Sequence, residues 1–184
     1  DTSIFLIHKT LKIAKKIGNI RMIGVLHQNL GVTYIYLGQL SKGISQYFIA
    51  HDIFNQMHSL YGLTLVNSNL CSFYYILGDY KKYIQFLEAS QKYNSRFKSN
   101  FWAGQNLILE GKISKGLNDY TKSENNLKLA LKTFEEISEY SKIIETLCEL
   151  FDLSIKTKNI EKANNIYTRL EQVSFKRISA KTRN

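Results

Sequence analysis

The chain has 184 residues, a net charge of +10 from 25 Lys and Arg against 15 Asp and Glu, 44% hydrophobic residues and no proline. An apolar share of this size excludes disorder along the whole length, and the absence of proline excludes proline-rich classes and favours long uninterrupted helices. Two cysteines are too few for a disulfide scaffold or a zinc site built of thiolates, and no apolar run reaches the roughly 18 residues that span a bilayer.

The positive charge is spread along the chain rather than concentrated in one region. The three successive thirds of the sequence carry +4, +3 and +3. A nucleic-acid-binding protein more often gathers its charge in a patch or stripe. We interpret the one local basic cluster, the tail 176–184, as a solvated segment in preference to an anion contact; its cations are Lys176, Arg177, Lys181 and Arg183.

The first predicted element is an amphipathic helix over residues 1–19. Its apolar residues Ile7, Leu11, Ala14 and Ile17 are spaced by three or four positions, as on one face of a helix. One period later these positions fall in the second helix of a repeat, so this segment is predicted to be a half repeat. A chain that starts within a repeat indicates a fragment of a longer protein, and we expect self-association through its exposed terminal repeats.

The rest of the chain repeats with a period of 40 residues. The period divides it into four repeats, 20–59, 60–99, 100–139 and 140–175. Because several independent columns hold one register, the repetition is not accidental. The columns are Gly38, Gly78, Asn118 and Lys158; Leu37, Leu77 and Leu117; Tyr47, Leu87, Leu127 and Tyr167; and Ala50, Ser90, Ala130 and Leu170.

Each repeat is predicted to form a helix, a tight turn and an antiparallel helix. Apolar residues recur at helical spacing on both sides of the turn, as around Leu30 and Tyr47 in the first repeat. Gly38, Gly78 and Asn118 tolerate a positive φ and can therefore end the first helix. Short polar residues that can cap the second helix follow in three repeats: Asp79, Asp119 and Asn159.

This pattern resembles the tetratricopeptide repeat. The repeat here is 40 residues long and lacks proline, whereas the family's unit has about 34 residues, and longer units of this kind resemble those of bacterial regulators and sensors. The resemblance implies an all-α, right-handed superhelical solenoid of antiparallel helix pairs with about four and a half repeats. The residues that carry it in the first repeat are Asn29-Leu30-Gly31, Tyr34, Leu37-Gly38, Leu40, Gly43, Tyr47 and Ala50.

A superhelix of this family lines its concave groove with the first helix of each repeat. Asn29 and Asn69 are one period apart, so the resemblance implies that their amides project alike into the groove, where a carboxamide can bind a peptide backbone. The alternative is that each amide ties neighbouring helices together. The residues predicted to bind a peptide or partner are Gln28, Asn29, Val32, Tyr36, Ser68, Asn69, Ser72, Tyr75, Gln105 and Lys112.

The far half of the predicted groove is charged. The resemblance implies that two cations, Lys112 and Lys115, face carboxylates of the next repeat, Glu145, Glu149 and Asp152. These charged side chains either contact a polar segment of a bound peptide or form ion pairs within the chain, and both interpretations stay open at this point.

No constellation of residues supports catalysis. The four histidines lie in helical stretches without a carboxylate pair at ligand spacing, and the glycines do not form a phosphate-binding loop. The sequence therefore predicts a protein that is not an enzyme and that binds no metal or cofactor. Its two cysteines favour the reducing cytoplasm.

The predicted function is a regulatory or signalling module that binds an extended peptide or a partner helix in its concave groove. One alternative is a peptide-pheromone-responsive regulator that lacks its effector domain in this chain. Another is a helical-repeat protein that uses its positive charge to bind nucleic acid. Repeated polar columns would suit a base-reading array, whereas these columns are apolar and variable.

Overall fold

The described residues fold into nine helices with no strand. The computed structural model describes residues 2–181, and side chains as far as Ser174, so the side chains of the basic tail predicted at 176–184 lie outside the described residues. The helices are α1 (Thr2–Lys16), α2 (Ile20–Tyr36), α3 (Leu40–Gln56), α4 (Leu60–Ile76), α5 (Tyr80–Phe97), α6 (Asn100–Gly116), α7 (Tyr120–Glu136), α8 (Tyr140–Lys156) and α9 (Ile160–Lys181).

Successive helices pack as pairs. From α2 onward a helix begins every twenty residues, and short turns join α2 to α3, α4 to α5, α6 to α7 and α8 to α9. Turns this short return the chain alongside the helix it has just left, so each pair is antiparallel. This confirms the all-α class of antiparallel helix pairs predicted from the sequence.

In three of the four repeats, the turn between the two helices contains a glycine or asparagine with a positive φ. Gly38, Gly78 and Asn118 have φ values of 74°, 70° and 63°. At the first of these turns the Gly38 and Gln39 amides donate to the last carbonyls of α2, at N···O distances of 2.9 and 2.8 Å. This pattern ends a helix and satisfies its exposed carbonyl groups.

The predicted caps are present as well. The carboxylate of Asp79 accepts the amide of Lys82 at 3.1 Å. Asp119 accepts from Lys122 and Asn159 from Lys162, each at 3.0 Å. A side-chain acceptor at this position satisfies an amide that the first turn of the helix leaves without an intrahelical partner.

The helices form two compact units, Asp1–Lys98 with α1 to α5 and Ser99–Asn184 with α6 to α9. In unit 1 the buried residues include Leu30, Tyr47 and Leu70, and burial raises the pKa of Tyr47 to about 12. In unit 2 one apolar cluster joins residues of all four helices; it contains Ile108, Leu127, Phe134, Ile143, Leu147, Leu150, Leu153 and Ile166.

Helix α1 keeps much of its apolar surface in solvent. Leu11 and Ala14 are buried, whereas Phe5, Leu6 and Ile13 are more than half exposed. Self-association through this end stays a prediction. Among the described residues, no helix combines the length and the apolar character that crossing a membrane requires.

Candidate functional site

In unit 1 the first helices of the two repeats, α2 and α4, lie next to each other and carry almost no charge. Each helix has 17 residues, and the two together contain one charged residue of the types Lys, Arg, Asp and Glu, which is Arg21. Their accessible side chains are therefore amides, hydroxyls and apolar groups, which can bind a neutral peptide backbone through hydrogen bonds.

The two predicted groove asparagines lie in different environments. Asn29 is exposed, and Asn69 is partly buried with its Nδ2 shielded from solvent. Among the described residues that Nδ2 has no hydrogen-bond partner. No side-chain hydrogen bond from either amide to a neighbouring helix is present in the described part of the chain, so both retain their bonding capacity.

The other six residues predicted in unit 1 divide into exposed and covered side chains. Val32 and Tyr36 are 44% and 90% exposed, and Ser72 is exposed as well. Tyr75 is partly buried, with its ring centroid 5.9 Å from that of Tyr83 and 6.4 Å from that of Tyr80. The remaining two are buried: Gln28 and Ser68.

A pocket of about 210 Å³ opens between α2, α3 and α4. The buried ring of Phe54 contributes to its wall from α3, and Gly62 of α4 lies against that ring, because a Cβ at Gly62 would stand 2.4 Å from Phe54 Cδ1. Glycine thus permits the contact between α4 and the ring. The pocket is lined by Arg21, Val25, Phe54, Ser59, Tyr61, Gly62 and Leu65.

Arg21 lies at this pocket with its side chain exposed. No carboxylate within residues 2–174 forms an ion pair with it. A guanidinium presents several donors in a planar fork that suits a carboxylate. Arg21 was not among the predicted site residues, although its isolation as a charge in two otherwise uncharged helices is visible in the sequence.

In unit 2 the corresponding helices, α6 and α8, are joined by ion pairs. Lys115 Nζ lies 2.7 Å from Glu149 Oε2 and 2.6 Å from Asp152 Oδ2. Lys112 Nζ lies 3.5 Å from Glu145 Oε1 and 3.2 Å from Glu149 Oε1. The interpretation as ion pairs within the chain therefore describes this region, and Lys112 takes part in them.

The ion pairs shift the pKa values of their members. Burial opposes the charge of Lys115, but the hydrogen bonds that its ammonium donates to Asp152 and Glu149, together with the charges of these carboxylates, exceed that effect and raise its pKa. Burial likewise opposes the charge of Glu145, yet Lys142 and Lys112 lower its pKa. Both groups are held in their charged forms at neutral pH.

The last predicted residue, Gln105, is buried in α6, and its Oε1 has no hydrogen-bond partner among the described residues. Cys148 lies on α8 with part of its surface exposed, and partial desolvation of its thiol together with the negative charges of Glu149 and Glu145 raises the pKa of that thiol. The thiol is therefore protonated and weakly nucleophilic at neutral pH. No cluster of three metal-ligating side chains is found among the residues described.

No family model and no curated protein matches the sequence. Among solved structures, the chain is similar to BtubC (BKLC) from P. vanneervenii, with a TM-score of 0.74 and 16% identity over 92% of this chain and 71% of that one. It is also similar to a Rap protein complexed with Competence and Sporulation Factor, with a TM-score of 0.73 and 18% identity over 92% of this chain and 46% of that one. Both are helical-repeat proteins, and at this identity the likeness shows the fold alone.

Proposed function

We propose that this chain is a non-enzymatic peptide-binding module of the tetratricopeptide type, which holds an extended peptide along α2 and α4 of unit 1. The observation that carries the proposal is the pair of amides, Asn29 and Asn69, which form no side-chain hydrogen bond within the described residues. An extended peptide presents one carbonyl and one amide per residue, and these need partners when the peptide leaves water.

The surroundings of the two amides suit the same ligand. Val32, Tyr36 and Ser72 are exposed on the same two helices and offer apolar area and a hydroxyl beside the amides. Because α2 and α4 carry one charge between them, the ligand does not have to give up strong ionic hydration to lie there. The binding energy would then come from backbone hydrogen bonds and from a few buried side chains.

The similar Rap structure lends support to a sensing role. That protein was solved in complex with Competence and Sporulation Factor, and the present chain aligns with 46% of its length. We propose by analogy a module of a larger regulatory protein, with a peptide-pheromone-responsive regulator as the narrower form of the same hypothesis. A cytoplasmic location remains part of the proposal.

Selection of peptides by the purified chain tests this function. A random heptapeptide library displayed on phage with free C-termini, as fusions to the C-terminus of a coat protein, is enriched on the immobilised chain, and the selected peptides are synthesised and titrated by fluorescence anisotropy. We expect the Asn29→Ala/Asn69→Ala variant to bind them about tenfold or more weakly than the native chain, since it lacks two hydrogen-bonding groups.

A matched double variant separates the site from general effects. Asn55→Ala/Asn125→Ala removes two exposed amides from α3 and α7, the second helices of their repeats, and should bind like the native chain. Circular dichroism establishes that both variants are folded. Failure to enrich any peptide, or equal affinity of both double variants, would refute the proposal.

Nucleic-acid binding is the second candidate, because unit 1 has eleven Lys and Arg against four Asp and Glu. Those cations lie mainly on α1 and α5, outside the helices of the proposed site. Labelled single-stranded and double-stranded oligonucleotides distinguish the two functions, since binding to phosphates weakens steeply between about 50 and 200 mM salt.

A further inference from the structure

We propose that the pocket between α2, α3 and α4 binds the C-terminal residue of the peptide, with the apolar side chain inside and the free carboxylate on Arg21. This inference rests on the proposed function and specifies the class of peptide. Three observations carry it: the size and lining of the pocket, the isolated charge of Arg21, and the position of both relative to the two asparagines.

The pocket suits one large apolar side chain. Its volume of about 210 Å³ lies below the roughly 300–1,000 Å³ of pockets that enclose whole small-molecule ligands. Val25, Phe54, Tyr61 and Leu65 give it an apolar lining. Burial of an apolar side chain there would remove its surface from water, which is the main source of affinity for such a group.

The charge of Arg21 complements an anion supplied by the ligand. Arg21 lacks a carboxylate partner within residues 2–174, whereas the buried Lys115 of unit 2 contacts both Glu149 and Asp152. An arginine fork binds a carboxylate through two parallel hydrogen bonds. The ligand should therefore bring its carboxylate to the edge of the pocket.

A C-terminal residue meets both requirements with one Cα. Its side chain and its carboxylate are attached to the same carbon, so filling the pocket places the anion beside Arg21 with no demand on the neighbouring residues. An internal Asp or Glu would need an apolar residue next to it and a bend between them. The C-terminal residue is therefore the simplest occupant.

The asparagines fix the direction of the remaining peptide. Arg21, Val25 and Asn29 are four residues apart on one face of α2, as are Tyr61, Leu65 and Asn69 on α4. Eight helical residues span about 12 Å, which three or four extended residues cover. The backbone bound by Asn29 and Asn69 should thus belong to residues three or four positions before the C-terminus.

In unit 2 the position that corresponds to Arg21 is occupied by an aromatic residue. Phe101 occupies the place of Arg21 two periods later, and its ring centroid lies 6.0 Å from that of Phe134, the counterpart of Phe54. The amine of Lys142, the counterpart of Gly62, lies 6.0 Å from the centroid of the Phe101 ring. An aromatic side chain at this position therefore packs where unit 1 leaves room for a ligand.

Small probes of defined chemistry test the pocket directly. N-acetylphenylalanine, its carboxamide and N-acetylglycine are titrated into the ¹⁵N-labelled chain, and the backbone amide of Gly62 reports on binding at the pocket. We expect saturable shifts of that amide with N-acetylphenylalanine and affinity about tenfold lower for the carboxamide, which keeps the ring but loses the charge-assisted bond. N-acetylglycine, which lacks the side chain, should bind more weakly still.

Two variants and a control assign the effect to Arg21. Arg21→Gln should bind the acid and the carboxamide equally, and Arg21→Phe should bind neither because the ring occupies the pocket. Arg96→Gln removes the same charge from an exposed position of α5 and should behave like the native chain. If Arg21→Phe proves unfolded by circular dichroism, Arg21→Gln alone still decides the question.

The inference fails if the carboxamide binds the native chain as tightly as the acid, or if the shifts arise away from Gly62. Its failure is separable from that of the proposed function. Selected heptapeptides that need Asn29 and Asn69 but tolerate C-terminal amidation and Arg21→Gln would overturn this inference and leave peptide binding intact. Loss of all peptide selection would overturn the proposed function instead.

Discussion

The first helices of the two units share a period and differ in chemistry. In unit 1, α2 and α4 have one charged residue between them, whereas α6 and α8 of unit 2 have eight. The charges of unit 2 are largely satisfied by one another, as in the contacts of Lys115 with Glu149 and Asp152. Among the described residues of unit 1, the cation of Arg21 and the amides of Asn29 and Asn69 have no such partners. The repeat thus determines the fold, and the residues placed on it determine where a ligand can bind.

The same contrast holds beneath these surfaces. Both units place a glycine under an aromatic ring, since a Cβ at Gly24 would lie 2.9 Å from Phe54 and one at Gly104 would lie 2.7 Å from Phe134. In unit 2 the Phe101 ring then covers Phe134, whereas in unit 1 Phe54 faces a pocket. The contact between a glycine of the first helix and the aromatic ring is thus common to both units, yet the ring borders an open pocket in unit 1 and is covered in unit 2.

Removal of the two rings should give the largest effects. Phe134→Ala is expected to lower the free energy of unfolding by about 4 kcal/mol and Phe54→Ala by about 3 kcal/mol, because Phe134 is enclosed on every side and Phe54 borders a pocket. Urea unfolding followed by Trp102 fluorescence reports on unit 2, and hydrogen exchange of α3 and α4 peptides reports on unit 1. Equal losses for both variants would show that the pocket does not relieve the packing around Phe54.

Replacement of the two cations by methionine should give a smaller but clearer contrast. Lys115→Met is expected to lower the free energy of unfolding by about 2 kcal/mol, because it removes the cation that Glu149 and Asp152 share. The loss is limited because both carboxylates remain partly in solvent. Arg21→Met should change stability by less than about 0.5 kcal/mol, because Arg21 has no carboxylate partner among the described residues. Comparable losses would contradict the assignment of Arg21 as a free ligand-binding cation. The same urea and hydrogen-exchange measurements apply.

The ion pairs of unit 2 should also make its stability depend on pH. The pKa of Glu145 is lower in the folded chain, so its contribution is present above the unfolded pKa of about 4.3 and is lost as pH falls through the folded value. The pKa of Lys115 is raised, so its contribution is present below about pH 10.4 and is lost as pH rises through the folded value. We expect an acid loss of up to about 1 kcal/mol, since Glu145 remains partly exposed.

Urea midpoints read from Trp102 fluorescence at pH 7, 5 and 3.5 measure this dependence. Glu145→Gln should flatten it, whereas Glu88→Gln, which alters an exposed residue of α5 in unit 1, should leave it unchanged. A slope that survives Glu145→Gln would assign the acid sensitivity to other carboxylates.

The fold was predictable because single residues decide its turns. A positive φ at Gly38 or Asn118 ends a helix, and an acceptor at Asp79 or Asp119 begins the next. These effects act within a few residues, so the local sequence contains them. The helix boundaries then follow from the period.

The site was less predictable because it depends on contacts between helices. A column identifies a helix face, but it does not tell which residues the adjacent helix covers, so Gln28 and Ser68 are buried while Asn29 is exposed. The pocket at Arg21 combines α2, α3 and α4, and its wall is Phe54, more than thirty residues away in the sequence. No local pattern contains that combination.

The smallest predicted effect concerns the residues that end the first helices. The turn at Gly38 uses glycine at a φ of 74°, and the corresponding turn at Lys158 in unit 2 uses lysine at 56°. A left-handed conformation strains any residue with a Cβ, although glycine loses more chain entropy on folding, so the net difference should be about 0.5 kcal/mol. Lys158→Gly should therefore stabilise the chain and Gly38→Lys destabilise it by similar amounts. Among the described residues, and apart from Gly38 and its two chain neighbours, no atom lies within 4 Å of a Cβ at Gly38, so this substitution measures backbone strain with little steric contribution. Thermal and urea unfolding of the two variants and of the double swap provide the measurement. Both turns use a left-handed residue, so the same balance of strain and chain entropy should apply to each. If both single variants shift stability in the same direction, that expectation is wrong.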